Sequence, residues 1–245
     1  GAGFEQQAFT ALNTAFLADG AFLCVPAATI VDSPIHVLFV STARPEVRDS
    51  TMAHPRVLVV MGGSSQATIV ESYVCPQGHR YLTNAVTEIV LGDNAVVDHY
   101  KLQRESLHGY HVGTMHVVGS RSATFRSHSL SFGGSVVRNE VVAVLDGEGM
   151  DCTLDGLYVA DERRLVDNHT TIDHAKPHCG SREVYKGILA GHARAVFNGK
   201  IIVRPDAQKT DAKQTNRALL LSEDAQVNSK PELEIFANDV KCTHG

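Results

Sequence analysis

The sequence predicts an all-β chain wound as a parallel β-helix, with one short helix at its start. Three observations carry that expectation. Short runs rich in Val, Ile and Thr recur between Gly, Asp and Asn, as at residues 57–60, 95–97 and 141–144, the pattern of strands closed by turns. Their spacing is nearly constant: Ala67-Thr68-Ile69, Ala95-Val96-Val97, Ala123-Thr124-Phe125 and Met150-Asp151-Cys152 begin 28, 28 and 27 residues apart. Helical periodicity is rare. A fixed period in the range of roughly 20–50 residues marks a solenoid, and with strands as the repeated unit each turn stacks ~4.8 Å above the last.

In chain order, the first element is a helix over residues 4–17, where Phe9, Leu12 and Phe16 keep one face and Gly20 offers a stop. Such a helix is placed to cover the open end of the solenoid, whose edge strands need a cover. Residues 1–20 are therefore read as a helical segment and 21–245 as the β-helix core. Within the core, Ile69, Val97, Phe125 and Cys152 are expected on one inward ladder, which makes Cys152 a small buried side chain. Gly92, Gly119 and Gly147 precede three of the repeats and are expected at corners of close approach. The polar, His-rich stretch 161–183 reads as turns with one strand. Strand signal resumes at 195–197, 200–203, 218–221 and 233–236.

Composition narrows the function. Hydrophobic residues make up 43% of the 245, aromatics 6%, and Trp is absent, so the core is aliphatic. The formal charge of −5 argues against a nucleic-acid binder. There is no apolar run of membrane-spanning length and no secretory signal pattern, so no membrane association is expected. Cys24, Cys75, Cys152, Cys179 and Cys242 are odd in number and widely spaced, which points to a reducing compartment rather than a disulfide framework. Gly199-Lys200 is followed by Ile201 where a P-loop needs Ser or Thr, and after Gly147-Glu148-Gly149 Cys152 stands where a dinucleotide fingerprint needs its third Gly. Neither H-E-x-x-H nor G-x-S-x-G occurs. The chain is read as a non-enzyme.

Three histidine groups were weighed as sites. His108, His111 and His116 have offsets that place His111 on a different strand face from the other two, so they are read as solvent-facing. Asp167, His169, Asp173, His174, His178 and Cys179 are dense in metal-ligand types, but turns use the same residues. Cys242 and His244 stand at i and i+2. On a strand they share a face ~6–7 Å apart at Cα, and sulfur with imidazole suits iron or zinc. Two ligands do not complete a site, so a partner must supply the rest; the competing reading is a chance pair at a frayed end.

Longer motifs decide between these readings. Val25-Pro26-Ala27 with Asp32-Ser33-Pro34-Ile35-His36-Val37, and Val70-Glu71-Ser72-Tyr73, resemble the SufB/SufD core domain. Asp167-Asn168-His169-Thr170, His174-Ala175-Lys176-Pro177-His178-Cys179 and Val184-Tyr185-Lys186-Gly187-Ile188 look most like the SufD branch. So do Gln214-Thr215-Asn216-Arg217, Leu219-Leu220-Leu221-Ser222, Lys230-Pro231-Glu232-Leu233-Glu234-Ile235 and Val240-Lys241-Cys242-Thr243-His244-Gly245. The resemblance implies a right-handed parallel β-helix acting as a scaffold subunit in iron–sulfur cluster assembly with SufB and the ATPase SufC. It implies that Cys242 and His244, as metal- or cluster-binding residues, face a SufB partner across the β-helix edge, where a transient iron–sulfur cluster forms. It also implies a cytoplasmic location, or the plastid stroma in a plant or alga. The family carries a C-terminal helical region that docks SufC, and the sequence stops before one, so SufC docking is expected to need residues beyond Gly245. A homodimer is a further possibility of the same edge. The rival readings are a carbohydrate-active β-helix using carboxylates from Asp146, Glu148, Asp151 and Asp155, and a metal-binding β protein.

Overall fold

The computed structural model describes residues 7–42, 51–75, 78 and 80–245. After helix α1 (Ala8–Ala15) the chain is strand and turn throughout. The first turns are β1 (Gly20–Val25), β2 (Ile35–Val40), β3 (Thr51–Ala53), β4 (Arg56–Met61), β5 (Gln66–Val74) and β6 (Tyr81–Leu91). The middle turns are β7 (Val96–Arg104), β8 (Tyr110–Gly119), β9 (Thr124–Ser131), β10 (Val136–Leu145), β11 (Asp151–Ala160) and β12 (Leu165–His174). The last are β13 (Gly180–Leu189), β14 (Arg194–Val203), β15 (Asp211–Leu220), β16 (Gln226–Ile235) and β17 (Lys241–His244).

Successive strands fall alternately into two sheets. One runs β1-β4-β6-β8-β10-β12-β14-β16, with β3 beside β6, and the other runs from β2 through β5 and the odd-numbered strands to β17. Every pairing is parallel, giving a β-solenoid of about seven turns. Alternation along each strand sends every second side chain inward, as in β10 and β12. Most inward positions are Val, Ile, Leu and Ala, with polar side chains among them, each large buried aliphatic contributing ~1.5–3 kcal/mol.

Each turn closes at one corner through a residue with left-handed backbone: Ala28, Ser64, Asn94, Ser122, Gly149, His178 and Lys209 all have positive φ. At Asn94, Ser122, His178 and Lys209 this aims the amide along the stack, onto the carbonyls of Arg121, Glu148, Gln208 and Asp239 in the next turn. The residue that follows points inward and is small or compact: Ser65, Ala95, Ala123, Met150, Cys179 and Thr210 are all buried. Cys179 is thus a corner-filling side chain. Gly147 sits at this corner because a Cβ there would lie 2.0 Å from the backbone nitrogen of Arg121. Gly119 instead ends β8, where it leaves room for Met150.

Register corrects the predicted ladder. Gln66 pairs with Val96, so the step from β5 to β7 is 30 residues, and later steps run from 27 (Thr124 to Asp151) to 31 (Gly180 to Asp211). Ile69 therefore lies beside His99, and the row that holds Val97, Phe125 and Cys152 begins at Ala67. Cys152 is buried as expected. The stretch read as turns with one strand holds all of β12 and the start of β13.

Helix α1 does not cover an open end. Asn13 Nδ2 donates to the carbonyls of Pro55 and Asn84, Asn84 Nδ2 donates to the carbonyl of Phe9, and Gln7 Nε2 donates to Glu140 Oε1. These bonds lay the helix across the flank of the first sheet, from β10 toward β4. Its buried residues are Thr10 and Asn13, while Phe9 and Phe16 are 42% and 59% exposed. Backbone carbonyls in need of donors, not an apolar groove, set its orientation. Residues 4–6 of the expected helix lie outside the described residues.

Candidate functional site at the last turn

The last strands in chain order are β15, β16 and β17. β17 covers only the first four residues of β15, pairing Ala212 with Cys242 and Gln214 with His244. Among the described residues β16 pairs with β14 alone. Beside them the side chains of Leu219, Leu220, Leu221, Ile235 and Phe236 are 40–65% exposed. Unpaired edges next to an apolar patch are the usual mark of a contact surface.

Cys242 and His244 share a face of β17, as predicted, and that face continues two inward rows. Cys242 ends the row Ala67, Val97, Phe125, Cys152, Ser181, Ala212. It is half-buried and packs against the buried cluster of Ile201, Val203, Ala207 and Ala212. Burial pushes its thiol up, partly opposed by a backbone hydrogen bond from Ala212, so it needs a metal or a partner's base to become a thiolate. His244 continues the row His99, Ser127, Leu154, Glu183, Gln214 and is exposed.

Below His244 the row is polar. Gln214 Nε2 donates to Glu183 Oε2 at 2.7 Å. Both residues are buried, and burial raises the Glu183 carboxyl to about 7 against the pull of Thr170 and Gln214. Neither was singled out from sequence. The available signal was the Gln-Thr-Asn-Arg motif, whose Gln214 is two strand positions from Ala212, the residue paired with Cys242.

The other histidine groups do not form sites. β12 turns Asp167, His169 and Asp173 outward and His174 inward, while His178 occupies the left-handed corner. Asp167 and His169 contact each other and Arg138, Asp173 pairs with Arg204 at 2.7 Å, and His174 Nε2 meets Ser181 Oγ at 2.9 Å. Among the described residues no group of three or more His, Cys, Asp or Glu is arranged to hold a metal ion. His111, expected in solvent, is fully buried: its Nδ1 lies 2.7 Å from Glu105 Oε2. The carboxylates of the glycosidase reading are engaged separately, Asp155 with His128 at 3.2 Å and Asp146 with Lys176 at 3.9 Å.

His111 belongs to a charged cluster inside β5–β8. Glu71 accepts from Tyr73 OH at 2.8 Å and from Thr87, and lies 3.0 Å from His99 Nε2. Lys101 Nζ donates to Asn139 Oδ1 at 2.8 Å. Burial lowers Lys101 to about 8. Burial alone would raise Glu105, but His111, Thr83 and Gln103 outweigh it and hold its carboxyl at about 2. A cavity of about 20 Å³ lies among Glu71, His99, Lys101 and Asn139, room for about one water.

Comparison with known proteins agrees with this architecture. The family model described as SUF system FeS cluster assembly, SufBD core domain, matches residues 41–245. An iron-sulfur cluster assembly SufBD family protein of Synechocystis is 37% identical over 98% of the chain and 54% of its own length. SufD of Escherichia coli is 36% identical over 79% of the chain and 46% of its own length, and chloroplastic ABCI7 of Arabidopsis thaliana is 32% identical over 97% and 51%. The chain spans about half the length of these relatives. A parallel solenoid of this register and a family match over residues 41–245 lead to one conclusion: the chain belongs to the SufBD family of the SUF iron–sulfur cluster assembly system.

Proposed function

We propose that the chain is the core of a SufD-like, non-enzymatic scaffold that works with SufB and the ATPase SufC. In this reading Cys242 and His244 face the partner across the open C-terminal edge and help hold a nascent iron–sulfur cluster, which is cargo. The observation that supports it is a Cys-x-His face on β17, in register with the inward Ala212 and Gln214, beside the exposed Leu219–Leu221, Ile235 and Phe236. A SufB solenoid meeting this end would complete the ligand set and remove water from the apolar edge. SufC then supplies ATP hydrolysis. Bacterial and chloroplastic relatives, and the absence among the described residues of a helix long and apolar enough to cross a membrane, suit a scaffold in the cytoplasm or the plastid stroma.

The test is anaerobic co-purification of the full-length protein with SufB and SufC, followed by an absorption spectrum and iron count. His244→Ala and Cys242→Ser are expected to lower cluster yield while leaving the circular dichroism spectrum unchanged. Normal yield from both variants would overturn the site.

A further inference from the structure

The buried pair beneath His244 has an oxygen to spare. Gln214 is 2% exposed. Its Nε2 is committed to Glu183 Oε2, and its Oε1 has no hydrogen-bond partner among the described residues. Burying an acceptor without a donor costs about 1–3 kcal/mol, so an unpaired one points to a donor in a neighbouring position of its own row. The next residue along the stack is His244, paired with Gln214 in register. The amide is also held in place from the opposite sheet. Gly199 leaves it space, since a Cβ there would lie 2.1 Å from Gln214 Nε2.

We propose that Gln214, oriented by Glu183, is the positioning residue for His244: its Oε1 accepts the proton of one imidazole nitrogen and so presents the other nitrogen, unprotonated, to the incoming metal. This rests on the reading of His244 as a ligand. An imidazole that binds metal through one nitrogen nearly always gives its other N–H to an acceptor, which fixes both tautomer and ring orientation. Glu183 sets the direction of the amide, because its oxygen holds Nε2 and leaves Oε1 uncommitted. The purely structural alternative, a Gln–Glu pair that only joins β13 to β15, leaves the spare oxygen unexplained.

The experiment uses the full-length protein assembled with SufB and SufC. Gln214→Met keeps the volume and removes the acceptor; Gln214→Glu restores an acceptor oxygen. Gln214→Met is expected to slow cluster formation about 10–100-fold, leave the thermal midpoint of the complex within a few degrees, and change the His244 ring-nitrogen signals in histidine-labelled NMR toward mixed tautomers. Gln214→Glu is expected to recover the rate in part and return a single tautomer. If His244→Ala slows assembly while Gln214→Met leaves both rate and ring signals unchanged, the positioning role is wrong. If His244→Ala itself has no effect, the ligand reading fails and this inference falls with it.

Discussion

Between β5 and β8 the interior holds Glu71, His99, Lys101, Glu105 and His111, each within 3.0 Å of a complementary group. Between β13 and β17 it holds Glu183 and Gln214, each with one oxygen that lacks a hydrogen-bond partner among the described residues. Backbone and burial are the same in both places. The charged cluster has further turns on both sides, and its groups pair as ions and hydrogen bonds, with His111 held by its 2.7 Å contact to Glu105 rather than by a hydrogen bond of full geometry. The terminal pair lies beneath β17, which pairs with β15 over four residues.

Breaking the closed cluster gives the largest expected effect. Glu71→Ala removes the acceptor shared by Tyr73, Thr87 and His99 and leaves Lys101 without its nearest carboxylates save Glu105. Removing one partner of a buried charged set typically costs about 3–5 kcal/mol. Urea denaturation of the full-length protein checks this. A loss below about 1 kcal/mol would mean that water in the neighbouring cavity carries the interaction instead.

The two regions should also respond to pH with opposite sign. Glu105 is held at about 2, below its ordinary 4.5, so its contribution is fully present above 4.5 and fades as pH falls through 2. Glu183 is raised from 4.5 to about 7. Between those values the folded chain keeps a proton that the unfolded chain has released, and stability falls as pH rises. The difference corresponds to about 3 kcal/mol. Glu183→Gln should therefore gain on the parent chain as pH rises from 5 to 8, approaching that figure at pH 8. Parallel urea midpoints at both pH values would show that Glu183 is ionised throughout.

How much of this the sequence displays depends on the range of the interaction. The solenoid is legible because its period and strand runs are local and repeated; Cys152 follows from its row. The Cys242–His244 face is legible because alternation over three residues decides it. The charged cluster is not. Its members lie on β5, β7 and β8 and meet only once a 30-residue step from Gln66 to Val96 fixes the register, where even spacing suggests 28. Ile69 was misplaced beside Val97 for the same reason. His111 looked exposed because its face depends on where β8 begins, and its carboxylate partner Glu105 precedes that strand. Gln214 is visible as a motif residue, but its spare oxygen exists only in three dimensions. The helix failed differently: its apolar stripe is real, yet the carbonyls of Pro55 and Asn84 recruited Asn13 instead.

The smallest stability effect is expected at the apolar edge, where the comparison is sharpest. Leu220 and Phe236 are 44% and 65% exposed, so replacing both by Lys removes little buried area and should change the unfolding free energy by no more than about 0.5 kcal/mol each. An edge that works only as a boundary of the fold would then be silent in every assay. An edge that meets a partner loses apolar contact and gains two charges that must be desolvated. Association with SufB, followed by size-exclusion chromatography of the full-length proteins, should therefore fall by at least tenfold, or about 1.4 kcal/mol, with the thermal midpoint of the separate protein unchanged. Unaltered association would place the partner surface elsewhere and leave the exposed leucines as ordinary surface. Loss of both association and stability would mean that the last turn is closed by its own chain, as the charged cluster is, and the contrast between the two regions would disappear.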